Sequence, residues 1–102
     1  MINVLFVCCA GMSTSLLVEK IKKVAIEKQI ELEINAVGEA VLREGIGDID
    51  VMLLGPQVRY LEKSAKKQVE GTKTKCGVVD MLAYGRMDGE KVLKQIMDLH
   101  SS

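Results

Sequence analysis

Apolar and polar positions alternate between two rhythms along this chain: near-continuous or two-residue patterns, and stretches in which apolar side chains recur every three or four residues. Residues 1–7 are apolar apart from Asn3, and the run is too short for a core helix before small and polar residues take over at Cys8. A buried parallel strand is predicted there, because a strand covered on both faces reads as an unbroken apolar run. Leu17, Ile21, Val24 and Ala25 then recur at i, i+4, i+7 and i+8 with charged residues between them. That spacing predicts an amphipathic helix to about Lys28, capped at its start by Ser13 or Thr14. From Glu31 to Val37, apolar Leu32, Ile34 and Ala36 alternate with polar neighbours, the pattern of a second strand with one wetter face, towards a sheet edge.

A short helix is predicted over Glu39 to Glu44, after which Gly45 and Gly47 release the chain into Asp50-Val51-Met52-Leu53-Leu54, a third and buried strand. Gly55-Pro56 ends that strand. Pro56 suits a first helical position, where its missing N–H would have had no partner, and Val58, Leu61, Ala65 and Val69 form the core stripe of the helix that follows. Lys63, Lys66 and Lys67 occupy its solvated faces. Cys76 to Val79 is a weaker strand, interrupted by Gly77. Asp88-Gly89 open a last helix with Val92, Leu93, Ile96, Met97 and Leu99 inward and His100 near the C-terminus, where positive charge suits the macrodipole. The order β-α-β-α-β-α-β-α predicts one three-layer α/β/α domain over residues 1–102. Its four-stranded parallel sheet is covered on both faces, with right-handed crossovers and a ligand site at the carboxyl ends of the strands.

Composition narrows the function. The 102 residues are 48% hydrophobic, enough for one core, with 14 Lys and Arg against 14 Asp and Glu. Zero net charge and only Phe6, Tyr60 and Tyr84 as aromatics leave nucleic acid neither a basic field nor a stacking platform. No apolar run approaches the ~20 residues of a membrane span, and no basic segment precedes the first one, so a cytoplasmic protein is expected. Three cysteines, two of them adjacent, make no disulfide framework and fit a reducing compartment.

The segment joining the first strand to the first helix, Cys8-Cys9-Ala10-Gly11-Met12-Ser13-Thr14-Ser15, lies where this architecture puts its site. A thiol at the strand end, two small residues and three hydroxyls entering a helix make a nest of backbone N–H groups around one sulfur. Such a nest suits a tetrahedral dianion, and its amides with the helix dipole would favour thiolate over thiol, so anion site and nucleophile coincide at Cys8. A lone cysteine at a strand end is more often a small buried hydrophobe, and the glycine- and hydroxyl-rich turn reverses that reading for Cys8 alone. Cys9, displaced by one residue, points away from the loop centre; Cys76 reads as core and His100 as solvated, and together they lack the paired spacing of a zinc site. Met12 is either packing or a partner contact. Gln57, Tyr84 and Asp88 are candidates for the rim, Asp88 equally as a helix cap.

Cys8 to Ser15 with Leu16-Leu17-Val18, Leu53-Leu54-Gly55-Pro56-Gln57-Val58 with Tyr60, and Leu82-Ala83-Tyr84-Gly85 with Asp88-Gly89 resemble one protein family along the whole chain. It is the cytoplasmic IIB component of the lactose/cellobiose (chitobiose) family of the bacterial phosphoenolpyruvate-dependent sugar phosphotransferase system. In that family the cysteine ending the first strand accepts a phosphoryl group from a phosphohistidine of IIA and passes it to a sugar held by the IIC permease. The resemblance implies that Cys8 forms the phosphocysteine and that Cys9, Ala10, Gly11, Met12, Ser13, Thr14 and Ser15 form its phosphate-binding loop; the family often has serine where Cys9 stands. It also implies a four-stranded parallel sheet with helices on both sides. The expected partners are phosphorylated IIA and the sugar-loaded permease, met at the inner face of the membrane. No metal, organic cofactor or nucleic acid is called for, and a monomer suffices.

The loop is also similar to that of low-molecular-weight tyrosine phosphatases, which end it with an arginine six residues after the cysteine. Here that position is Thr14, and neither Arg nor Lys occurs between Cys8 and Glu19. Without the guanidinium fork, water attack on a thiophosphate would face a barrier higher by about several kcal/mol, which favours a carrier and leaves a cysteine phosphatase as the alternative. A redox role lacks a C-x-x-C motif, and adjacent Cys8 and Cys9 would close only a strained ring.

Overall fold

Two apolar strands, β1 (Ile2–Val7) and β3 (Val51–Leu54), lie side by side at the centre of a parallel sheet of order β2-β1-β3-β4, completed by β2 (Leu32–Val37) and β4 (Lys75–Val78). The computed structural model describes residues 1–8 and 12–102, the side chains of Met12 and Ser13 excepted. Central position explains the unbroken apolar runs: successive side chains of β1 enter opposite cores. Val4 and Phe6 pack with Val51, Leu53, Leu17, Ile21, Val92 and Ile96, whereas Leu5 and Val7 pack with Met52, Leu54, Val58, Ala65 and Val69. The sheet is therefore covered on both faces. β2 is an edge strand as its alternation predicts, with Ile34 buried and Glu33 and Asn35 exposed, although Ala36 is exposed as well.

Helix α1 runs over Met12–Glu27. It ends where Gln29 takes a left-handed conformation (φ 58°), allowing the Ile30 N–H to reach the Ala25 carbonyl at 2.8 Å. Because α1 begins at Met12, Thr14 lies inside its first turn and does not cap it; the Thr14 hydroxyl is turned to a tertiary partner instead. A short α2 (Val41–Glu44) follows β2. Pro56 opens a helical segment as expected, but the segment is a 3-10 helix over Pro56–Leu61 followed by α3 (Glu62–Gln68), with Val58 in a non-helical conformation (φ −117°, ψ 23°). Val58 is fully buried in the second core, and the kink is the conformation in which it gets there.

The chain contains a helix that periodicity does not reveal, α4 (Met81–Gly85), five residues capped by the Asp80 carboxylate on the Ala83 N–H at 3.1 Å. Met87, left-handed at φ 56°, turns the chain into α5 (Gly89–Ser101), where Asp88 accepts the Lys91 N–H at 3.1 Å. Asp88 is thus a helix cap. From α5, Gln95 accepts the Asp80 N–H at 2.9 Å and donates to the Val78 carbonyl at 2.7 Å, clamping the end of β4 to the start of α4. The segments leaving β1, β3 and β4 are consequently held together at one end of the sheet.

Candidate functional site

Cys8 is the first residue beyond β1, 5% exposed, and its backbone N–H donates to the Val37 carbonyl at 2.9 Å. The same carbonyl oxygen lies 3.6 Å from Cys8 Sγ, so the end of β2 orients the thiol. On the other side stands Gly55, whose N–H donates to the Val7 carbonyl at 2.8 Å and continues the β1–β3 pairing past its last residues. A Cβ on Gly55 would sit 3.5 Å from Cys8 Cβ, 3.4 Å from the Val7 carbonyl oxygen and 3.2 Å from Gln57 Oε1. Glycine here leaves room for the Gln57 side-chain amide.

That amide has a purpose in the packing. Gln57 Nε2 donates to the Tyr84 hydroxyl at 3.2 Å, and the same hydroxyl is 3.0 Å from Thr14 Oγ1. Thr14 is 1% exposed, and the phenol satisfies a side chain that would otherwise be a buried polar atom without a partner. The Tyr84 ring leans on Phe6, two residues before Cys8, with centroids 6.3 Å apart and planes inclined at 51°. Three segments, those after β1, β3 and β4, therefore meet at one phenolic oxygen beside the Cys8 strand end.

Leu16, Tyr60, Met81 and Leu82 are each more than half exposed, on α1, the 3-10 helix and α4. The Arg59 guanidinium approaches Met81 Sδ at 3.8 Å, and Tyr60 donates to Glu39 at 2.8 Å. Ser15 is exposed on α1. The expected loop positions Cys9, Ala10 and Gly11, and the side chains of Met12 and Ser13, lie outside the described residues. Cys76 is half-buried on β4 against the second core, and burial pushes its thiol up, as a structural cysteine requires. His100 is exposed in the last turn of α5, and Lys63, Lys66 and Lys67 are exposed on α3, with Lys66 3.1 Å from Glu62. A groove of about 510 Å³ between the end of α1 and α5, lined by Lys28, Ile30, Leu93, Lys94 and Met97, shares no residue with the Cys8 site.

A family model described as the lactose/cellobiose-specific IIB subunit of the phosphotransferase system matches residues 3–95. The chain belongs to this family. It is 39% identical over 97 residues to an oligo-beta-mannoside-specific IIB component of Bacillus subtilis (strain 168), covering 95% of this chain and 94% of that one. It is 42% identical over 91 residues, 84% of each chain, to a galactose-specific IIB component of Lactococcus lactis subsp. cremoris (strain MG1363). The solution structure of a cellobiose-specific phosphotransferase IIB component from Borrelia burgdorferi superposes with a TM-score of 0.76 at 38% identity, covering 98% and 92% of the two chains. As a IIB subunit the protein is a phosphotransferase, a phosphoryl carrier in sugar uptake that works with IIA and IIC components. Among the described residues no helix of this IIB subunit is long and apolar enough to cross a membrane.

Sequence reasoning put Gln57 and Tyr84 on the rim, and the structure joins them by a hydrogen bond. That reasoning named Thr14 in the phosphate-binding loop and as a candidate helix cap, and missed only the bond that joins Thr14 to Tyr84. The available signal was distance from strand ends: Thr14, Gln57 and Tyr84 each follow a parallel strand by a few residues, where loops converge. Nothing in the sequence separates the exposed Leu16, Met81 and Leu82 from core positions.

Proposed function

We propose that Cys8 is the phosphoryl-carrying residue of this IIB subunit, and that residues 9–15, the loop together with the first turn of α1, hold the phosphoryl group, within a single domain over residues 1–102. The observation that supports this is the placement of Cys8 at the carboxyl end of a central parallel strand, oriented by Val37 and flanked by Gly55, with Thr14, Gln57 and Tyr84 gathered beside it. The Cys8 sulfur attacks the phosphorus of a phosphohistidine on IIA in line with the P–N bond. The S–P bond forms as the P–N electron pair leaves with the imidazole, whose other nitrogen carries the proton that makes it a neutral leaving group. A sugar hydroxyl held by IIC then attacks phosphorus and releases its proton to solvent, the S–P bond breaks, and sulfur departs as thiolate, the form that makes the first attack. Loop amides and the hydroxyls of Ser13, Thr14 and Ser15 face the transferring charge in this reading.

The sugar is a disaccharide or small oligosaccharide of the lactose, cellobiose or chitobiose type, chosen by the permease, and the protein acts as a cytoplasmic monomer that visits the inner membrane face. IIA and IIC dock in turn on the apolar surface of Leu16, Tyr60, Met81 and Leu82 around Cys8, together with Met12, Gln57 and Tyr84. One phosphocysteine serves both, so the interfaces are small, at the low end of about 1,200 Å² buried, and release is fast. Membrane vesicles bearing the permease, supplied with phosphorylated IIA, should phosphorylate the sugar only when this chain is added, and the chain alone should hydrolyse aryl phosphates poorly. Amide shifts on titration with IIA should centre on residues 8–15, Gly55 and Tyr84 and spare Lys63 to Lys67. Rapid hydrolysis of an aryl phosphate without IIA or permease would establish the phosphatase reading instead.

A further inference from the structure

We propose that Gln57, Tyr84 and Thr14 form a polarised donor chain that fixes the Thr14 hydroxyl proton on the phosphoryl group of Cys8, with Gln57 and Tyr84 as positioning residues. The inference rests on the Cys8 reading above and deepens it. Its starting point is a count of protons. Gln57 Nε2 brings its own hydrogen to the Tyr84 oxygen, at 3.2 Å. The 3.0 Å contact between Tyr84 and Thr14 consumes one of the two hydroxyl protons present, so one hydroxyl proton remains spare whichever residue donates. Acidity decides which. A phenol is a stronger donor than an aliphatic alcohol, and a phenolic oxygen already accepting from Gln57 is a poor second acceptor. The Tyr84 proton therefore goes to Thr14 Oγ1, and the Thr14 proton is the one released.

Thr14 is 1% exposed, so that proton has no bulk water to satisfy it, and its residue sits in the first turn of the helix that begins where the Cys8 loop ends. Gln57 has room for its amide because Gly55 carries no Cβ, while Tyr84 is held by Phe6 and by the capped α4, and Thr14 by α1. Where a phosphatase loop places a charged fork, this protein holds a neutral hydroxyl whose single donor is aimed by two other residues. A neutral donor stabilises bound phosphoryl without strongly favouring the water attack that would discharge it.

The test is the equilibrium between phosphorylated IIA of the family and this chain, read as the fraction of Cys8 phosphorylated, with the phosphorus resonance of the phosphocysteine as the spectroscopic signature. Thr14→Val, close in shape to threonine, should lower the transfer equilibrium constant by about tenfold or more, the loss expected for a hydrogen bond to a charged group, and shift the resonance. Thr14→Ser should restore both. Tyr84→Phe should give an intermediate loss, since the hydroxyl survives unaimed. Gln57→Glu keeps Thr14 but reverses the chain: the carboxylate takes the Tyr84 proton, Tyr84 takes the Thr14 proton, and none is left. It should lose as much as Thr14→Val, and the double variant should lose no more than either, whereas simple charge repulsion would add. Wild-type equilibrium and resonance in both Thr14→Val and Tyr84→Phe, with phosphate still on Cys8, would overturn the chain and leave the carrier reading intact. Wild-type protein that acquires no phosphate on Cys8 overturns both.

Discussion

The backbone and the side chain of Cys8 both turn to one atom, the carbonyl oxygen of Val37, at 2.9 Å from the amide nitrogen and 3.6 Å from the sulfur. The sulfur is thus aimed by the neighbouring edge strand before any partner arrives. Cys8→Ser should abolish acceptance of phosphoryl from IIA while the protein stays folded, and Cys9→Ser should retain most of it, because the proposed carrier is Cys8 alone. Mass spectrometry of the labelled chain distinguishes the two, and label on Cys9 would refute the assignment.

Gly55→Ala tests the packing around that sulfur. The new methyl meets Gln57 Oε1 at 3.2 Å, the tightest of its contacts, and the side-chain amide is the group able to give way. With ordinary backbone dihedrals at Gly55 (φ −69°, ψ 160°), stability should change by less than about 1 kcal/mol. Phosphoryl acceptance should nevertheless fall, since the Gln57 contact to Tyr84 is displaced. A melt paired with an acceptance assay checks both; a fully active Gly55→Ala protein would show that Gln57 need not lie there.

Gly89→Ala is expected to behave in the opposite way. A Cβ at Gly89 would fall 2.9 Å from the Lys20 carbonyl carbon and 3.0 Å from the Ile21 nitrogen, and backbone of α1 cannot swing aside as a side chain can. Overpacking of this kind costs about 1–3 kcal/mol, so urea unfolding should show a loss in that range, with phosphoryl acceptance per folded molecule unchanged.

Acid sensitivity should centre on Asp50. The Asn3 backbone N–H, 2.8 Å from its carboxylate, holds Asp50 below the usual carboxylate range; burial opposes it, and Lys73 at 3.4 Å adds to the lowering. A carboxyl depressed by folding adds stability that is fully present above its unfolded value, near about pH 4, and is lost as pH falls through the folded value. Wild-type protein should therefore melt above Asp50→Asn at neutral pH, with the gap closing from about pH 5 downward. Parallel melting curves across that range would assign the acid response elsewhere.

The sequence by itself determined the strands and the two-sided sheet, with Cys8 at the end of one central strand. Val4, Leu5, Phe6 and Val7 are all apolar because β1 is buried on both faces, and that burial is written directly in the composition of a short run. The edge position of β2 is equally legible in its alternation, and the strand-end cysteine before a glycine- and hydroxyl-rich turn marks the site before any fold is known. Only the tertiary structure decided what Thr14, Gln57 and Tyr84 do. They are 43 and 27 residues apart in sequence, and although the sequence marks Thr14 as a loop or cap residue and Gln57 and Tyr84 as rim candidates, it does not join them. The five residues of α4 are too few to show a period, and the break at Val58 follows from seating its side chain in the second core, not from any local preference. A hydrogen bond between distant side chains depends on where three parallel strands end together, and local sequence carries no term for that.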